Sequence, residues 1–192
     1  MGPVNVLGCS QIHTDDLAIS SAASNSRVGV SGSFSAQILP GVLIVPCGDR
    51  TLTLILSDVP LRQWVISFPF PLRYLFAAHP QAMGKVLGII YRAISTHLIH
   101  KAGYRLQDGA TGAVTLIQRF GSALNLNIHF HILFLDGVYV YRGDRSPRFQ
   151  RLKAPVKDEL EDLVQLISQR VGRCLERQGL LCYLWQLQMA CT

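Results

Sequence analysis

Apolar positions recur along this chain with two different periods. Residues 64–68 form an apolar, strand-like run that stops at Pro69 and Pro71. From Met83 to Ile99 the apolar residues instead follow one another at steps of three and four, which predicts a long amphipathic helix ending near Gly103. The same period returns after Pro155, between Leu160 and Leu175, and predicts a second helix that runs to about Gly179.

Two further strands are predicted between these helices. The first is AVTLIQRF, bracketed by Gly112 and Gly121, and the second is the single long run IHFHILFLDGVYVY, residues 128–141, which follows Asn127. They are close enough in sequence to form an antiparallel hairpin. From residue 58 the order is strand, helix, strand, strand, helix, which predicts an α+β fold with helices on one face of a ferredoxin-like antiparallel sheet.

The first 57 residues lack such patterns. Ser20 to Ala36 is rich in Ser, Gly and Ala without a helical or strand period, as in a linker. The apolar stretch Ile38 to Leu56 is broken by Pro and Gly into two short strand-like pieces and is not predicted to span a membrane. We therefore predict a poorly patterned segment at 1–57, a core at 58–180 and a tail at 181–192. No signal peptide is visible, so we expect a cytoplasmic protein.

Composition favours a polyanionic partner. Lys and Arg outnumber Asp and Glu by 18 to 12, which gives a net charge of +6 and a pI near 9.3. The five cysteines contain no CxxC pair and are interpreted as reduced thiols. Nucleic acid is therefore the expected partner, and neither a membrane nor a small-molecule substrate is expected.

His129 and His131 carry the chemistry of the second hairpin strand. Alternation puts both imidazoles on one face and Ile128 and Phe130 on the other. If the hairpin closes symmetrically, Gln118 lies opposite His129, close enough for its carbonyl oxygen and the two imidazoles to share one divalent ion. This donor set fits Mg²⁺ or Mn²⁺ and leaves Zn²⁺ open. The alternative is a pair of hydrogen-bonded histidines at a sheet surface.

Three stretches of the chain resemble a known family. They are WVISFPFPLRYLFA (64–77), GIIYRAISTHLI in the first helix and, above all, GAVTLIQRFGSALNLNIHFHILFLDGVYV (112–140). Together they resemble the two-tyrosine transposases of the insertion sequence 91 type, members of the HUH endonuclease superfamily encoded by mobile elements. The resemblance implies a His-hydrophobe-His motif on a central strand, with His129, His131 and Gln118 as metal ligands.

The resemblance also implies a function in DNA transposition. In this superfamily a tyrosine attacks single-stranded DNA at a transposon end, forms a 5′-phosphotyrosine and releases a 3′-hydroxyl that can later rejoin strands, while the metal polarises the phosphate. A bacterial, nucleoid-associated location would follow. Six basic residues near the hairpin are candidates for DNA contacts: Arg119, Arg142, Arg145, Arg148, Arg151 and Lys153.

The chain departs from the family pattern at both ends. Family members carry a cysteine-rich zinc module before the first strand and catalytic tyrosines on a downstream helix, and neither is recognisable here. No catalytic residue is therefore assigned, and we expect a truncated transposase core that is inactive by itself. The alternative is a non-catalytic α+β module that binds single-stranded DNA.

Overall fold

The computed structural model describes residues 59–121, 125–141 and 146–181, and the backbone of four strands nearer the N-terminus. The elements are β1 (Ala18–Ala23), β2 (Gln37–Leu39), β3 (Val42–Cys47), β4 (Arg50–Ile55), β5 (Leu61–Ser67), α1 (Phe70–Ala78), α2 (Pro80–Lys101), β6 (Gly109–Ala110), β7 (Ala113–Phe120), β8 (Leu126–Leu135), β9 (Gly137–Val140), β10 (Arg148–Arg151) and α3 (Lys157–Arg177).

A four-stranded antiparallel sheet organises the fold, in the order β1-β5-β8-β7. The hairpin strand with the two histidines, β8, is therefore central, as predicted. The outer neighbour of β5 is β1, which comes from a part of the chain where the sequence pattern predicts no strand. The backbone pairing of β1 with β5 adds this strand to the edge of the sheet.

The hydrophobic core lies between this sheet and the helices. Burial alternates along β5, so that Trp64 and Ile66 are buried while their neighbours are only partly so. The buried side chains of β5 and β8 join those of α1, α2 and α3 in one cluster. All three helices therefore cover one face of the sheet, and the α+β class predicted from the sequence is confirmed.

The two predicted amphipathic helices are confirmed as α2 and α3. A proline, Pro80, starts α2, where its missing N–H costs nothing. Gly103 and Gly179 follow the two helices with φ of +83° and +70°, a left-handed conformation that favours glycine at a helix end. The short helix α1 was not predicted, since the two prolines at its start were interpreted as the end of a strand only.

The run from Ile128 to Tyr141 was predicted as one strand, and this prediction is wrong. The chain bends at Asp136, and β9 joins a second sheet in the order β10-β9-β6. Asp136 is buried and accepts a hydrogen bond from Arg62 Nε at 2.7 Å. The next residue, Gly137, passes so close to β10 that a Cβ there would lie 2.3 Å from the Gln150 carbonyl oxygen.

A third antiparallel sheet, β2-β3-β4, is formed by the backbone between Gln37 and Ile55. It contains the two short strands predicted between Ile38 and Leu56, and β2 in addition. The domain boundary near residue 58 stays a prediction. None of the helices in the described residues is both long and apolar enough to cross a membrane.

Candidate functional site

His129 and His131 lie side by side on β8, on the face that the helices leave uncovered. Their ring centroids are 4.8 Å apart and the ring planes are inclined by 65°. Between them, Phe130 points into the core and is completely buried, whereas both imidazoles are only partly buried. The alternation predicted from the sequence therefore places both rings on the same surface.

Gln118 pairs directly with His129, and Leu116 pairs with His131. This is the register predicted from symmetric closure of the hairpin, although the pairing shifts between Gln118 and Phe120. The Gln118 side chain is partly fixed, because its Nε2 donates to the Phe120 carbonyl at 3.0 Å. Its Oε1 is buried without a hydrogen-bond partner among the described atoms.

His131 is held by a residue on the other neighbouring strand. Its Nδ1 lies 2.7 Å from the side-chain amide of Gln63 on β5, while its Nε2 is buried and has no partner within the described residues. Burial, with a smaller contribution from nearby His129, lowers the pKa of His131 to about 4. The imidazole is therefore neutral at pH 7. With Gln63 Nε2 donating to Nδ1, the ring proton lies on Nε2, and Nε2 can bind a metal ion once the Gln63 amide has turned so that its Oε1 accepts from Nδ1–H.

His129 is oriented by its own strand. Its Nδ1 lies 2.7 Å from the Asn127 carbonyl oxygen. Because a carbonyl can only accept, Nδ1 carries the proton of the neutral ring, and Nε2 keeps its lone pair. A hydrogen bond from the opposite ring nitrogen to a carbonyl is the usual way in which a metal-binding histidine is positioned.

The site therefore offers three neutral donors: two imidazoles and one amide oxygen. A buried polar atom without a partner is unfavourable by about 1–3 kcal/mol, and Gln118 Oε1 and His131 Nε2 are two such atoms on adjoining strands. A divalent ion bound to both atoms would remove the cost of burying them without a partner, so the residues fit a metal. Within the described ranges there is no group of three or more His, Cys, Asp or Glu that could hold one.

The predicted DNA-contacting residues are divided among different parts of the fold. Arg119 is exposed and follows Gln118 on β7. Arg148 and Arg151 pair with Val140 and Gly137 on β9, so both belong to the second sheet. Lys153 is exposed just after β10, and Arg142 and Arg145 lie outside the described residues. Of the basic residues predicted to contact DNA, the structure thus puts only Arg119 on a strand that pairs with the histidine strand.

Tyrosines are found on other elements. Tyr91 on α2 stacks on Phe134 with ring centroids 5.5 Å apart, and Tyr139 on β9 contacts Phe149. Tyr74 lies on α1, while Tyr104 and Tyr141 follow α2 and β9. In the described part of the chain, no tyrosine lies on β5, β7 or β8. Tyr183 lies outside the described residues.

Gln63 is the site residue that sequence reasoning missed. It was not considered because its contact with His131 depends on pairing between strands that lie 68 positions apart. One local signal existed, since Gln63 is a polar residue that alternates with Trp64 and so shares the uncovered face of β5.

Comparison with known proteins gives one family match. Neither the curated proteins nor the solved structures contain a match. The matched stretch, residues 112–187, begins at Gly112 just before β7 and contains β8 with both histidines and all of α3. This part of the chain is similar to the family described as "Putative transposase", which supports a role related to transposition.

Proposed function

We propose that this chain is the core of a metal-dependent transposase that nicks single-stranded DNA and transfers strands. His129, His131 and Gln118 would hold Mg²⁺ or Mn²⁺ on the uncovered face of the sheet. The observation that carries the proposal is a pair of buried atoms on adjacent strands beside the His129 ring, Gln118 Oε1 and His131 Nε2, neither of which has a hydrogen-bond partner among the described residues.

The donor set explains why the partner would be a phosphate. Two imidazoles and an amide bring no negative charge, so a divalent ion held by them keeps its full positive charge and attracts phosphate oxygens. When bound, the ion would polarise the phosphate as a Lewis acid. The protein contributes orientation, since the Asn127 carbonyl positions His129 and the Gln63 amide positions His131.

A single strand suits this face better than a duplex. Phe120, at the end of β7, is 53% exposed and lies two positions after Gln118. Arg119 is exposed between them and points to the other side of this outermost strand, where it can reach a phosphate at the sheet edge. The arginine offers a phosphate contact and the exposed aromatic ring offers a stacking surface for a base. Proteins bind single-stranded nucleic acids through this combination.

One observation favours the alternative of a non-catalytic module that binds single-stranded DNA. The three described strands that would surround the ion, β5, β7 and β8, carry no tyrosine that could act as a nucleophile. We accordingly expect no covalent adduct when this chain is incubated with single-stranded DNA and Mn²⁺. A denaturing gel that shows a protease-sensitive shifted band would contradict that expectation.

Metal binding separates the two functions. Isothermal titration of Mn²⁺ is expected to show one site in the wild-type chain and none in His129→Ala/His131→Ala. His79→Ala/His100→Ala, which removes two imidazoles from α2 and its start, is the matched control and should bind as the wild type does. If the two variants bind Mn²⁺ equally, the metal-dependent function is wrong and the binding module remains.

A further inference from the structure

A second charged surface lies on the helical layer, on the opposite side of the sheet from the histidines. A groove of about 520 Å³ runs between α2 and α3. Five of the described residues that line the groove are cations: Lys85, Arg92, Arg170, Arg173 and Arg177. The remaining described lining residues are uncharged, and none is Asp or Glu.

The two helices supply these cations at regular positions. Arg170, Arg173 and Arg177 are three and four residues apart and so follow one stripe of α3, and Lys85 and Arg92 are seven apart on α2. All five are exposed. Like charges at these spacings repel one another, so the arrangement is unfavourable without a counter-charge.

The described residues provide little counter-charge. Lys85 donates to Gln178 Oε1 at 3.2 Å, and Arg173 donates to the Gln169 carbonyl at 3.4 Å, both neutral acceptors. None of the five forms an ion pair with a carboxylate of a described residue; the ion pairs that do form use other basic residues. A polyanion in the groove would supply the missing negative charge.

The form of the groove distinguishes between kinds of nucleic acid. No aromatic side chain is among its described lining residues, so it offers no surface on which an unpaired base could stack. It offers guanidinium groups, which pair with phosphate oxygens in a bidentate manner. Duplex DNA carries one phosphate charge per about 1.7 Å of axis, a dense array of such groups.

We propose that the α2–α3 groove binds the phosphate backbone of duplex DNA, independently of base sequence and of any metal ion. With the function proposed above, the molecule would hold a single strand on the sheet and the adjoining duplex on the helices. The groove itself does not depend on that function, because none of its residues lies on the sheet.

The test uses the full chain, a short fluorescein-labelled duplex and fluorescence anisotropy in EDTA at several KCl concentrations. Arg170→Gln/Arg177→Gln is compared with Arg105→Gln/Lys157→Gln, which removes the same charge from exposed positions outside the groove. The groove variant should bind several-fold more weakly, with a slope of log affinity against log salt reduced by about two. In the control variant the slope should change by no more than about one third as much as in the groove variant.

Two outcomes would overturn the proposal. One is an equal loss of duplex affinity in both variants, which would mean that only net charge matters. The other is unchanged duplex binding in a groove variant that has lost binding to phosphatidylglycerol vesicles, which would assign the groove to a membrane surface. Neither outcome bears on Mn²⁺ binding by the histidines, and His129→Ala/His131→Ala should bind the duplex in EDTA as the wild type does.

Discussion

The side-chain amide of Gln63 lies 2.7 Å from His131 Nδ1, although the two residues belong to different strands. A metal-binding histidine usually donates its second ring N–H to an acceptor, a role that Gln63 fills once its Oε1 faces Nδ1–H, and loss of such a partner typically lowers metal affinity by about 10–100-fold. We predict a loss of this size in Gln63→Leu, measured by Mn²⁺ titration. In Gln63→Glu the carboxylate accepts from Nδ1–H, which leaves the lone pair on Nε2, so this variant should bind Mn²⁺ within about threefold of the wild type.

An unchanged Mn²⁺ affinity in Gln63→Leu would show that the amide does not position the ring. A loss in both Gln63 variants would point instead to a disturbed strand pairing between β5 and β8. Urea unfolding of both variants decides between these explanations, because a positioning residue affects the metal affinity and leaves the unfolding midpoint unchanged.

Truncation on the two faces of β8 should destabilise the protein to very different extents. Phe130 is fully buried and its ring packs edge-to-face on Phe68 at 4.9 Å, so Phe130→Ala is expected to lower the free energy of unfolding by about 3–5 kcal/mol. His129→Ala, on the uncovered face, should lower it by less than about 1 kcal/mol. Similar losses in both variants, measured by urea unfolding, would contradict the assignment of the two faces.

The buried ion pair at the bend should be sensitive to the loss of either partner. Arg62 and Asp136 are both buried, and Arg151 Nε is the other cation near the carboxylate, at 3.5 Å from Oδ2. Arg62→Met leaves a buried carboxylate that is poorly compensated, at a cost of about 3–5 kcal/mol. Arg62→Met/Asp136→Leu should lose less than Arg62→Met alone, and equal or greater loss in the double variant would be the contrary result.

His97 on α2 should make stability depend on pH. Burial lowers its pKa below 6.5, against the opposing effects of Glu159 and Asp162, and its Nε2 is buried without a described partner. The folded state therefore binds this proton less readily than the unfolded state does. Its contribution to stability is present above pH 6.5 and is lost as the pH falls from 6.5 to the lowered value.

We predict that His97→Leu loses less stability than the wild type between pH 7.5 and pH 5.5, in urea unfolding at the two values. His131 contributes with the same sign in both proteins, so its effect cancels in the comparison. Parallel losses in the two proteins would show that His97 titrates normally in the folded state.

Local patterns predicted the parts of this molecule that depend on neighbouring residues. The period of two in residues 128–134 was enough to place His129 and His131 on one face, and a short hairpin loop was enough to place Gln118 opposite His129. The period of α2 and α3 predicted both helices. In each case the physical cause, side-chain direction or loop closure, operates within a few residues.

Features that depend on distant residues were missed or were wrong. The bend after β8 lies at Asp136-Gly137, a dipeptide that is typical of turns but was not used as a signal here. The contact of Asp136 with Arg62, 74 positions away, could not be predicted from it. The sequence of β1, AISSAA, has no periodic apolar pattern, so its pairing with β5 could not be predicted from the sequence. The basic groove joins two helices that lie far apart in sequence, so no local pattern brings its cations together.

The alternation along β8 also limits which changes this strand can tolerate during evolution. A substitution on the uncovered face alters the site and leaves the core intact. An insertion or deletion of one residue before His129, by contrast, would exchange the two faces of the strand beyond it. The imidazoles would then enter the space now filled by Phe130 and Phe134, and two large aromatic rings would move to the face that now carries the imidazoles. The length of the strand is therefore more strictly constrained than the identity of the residues on its histidine face.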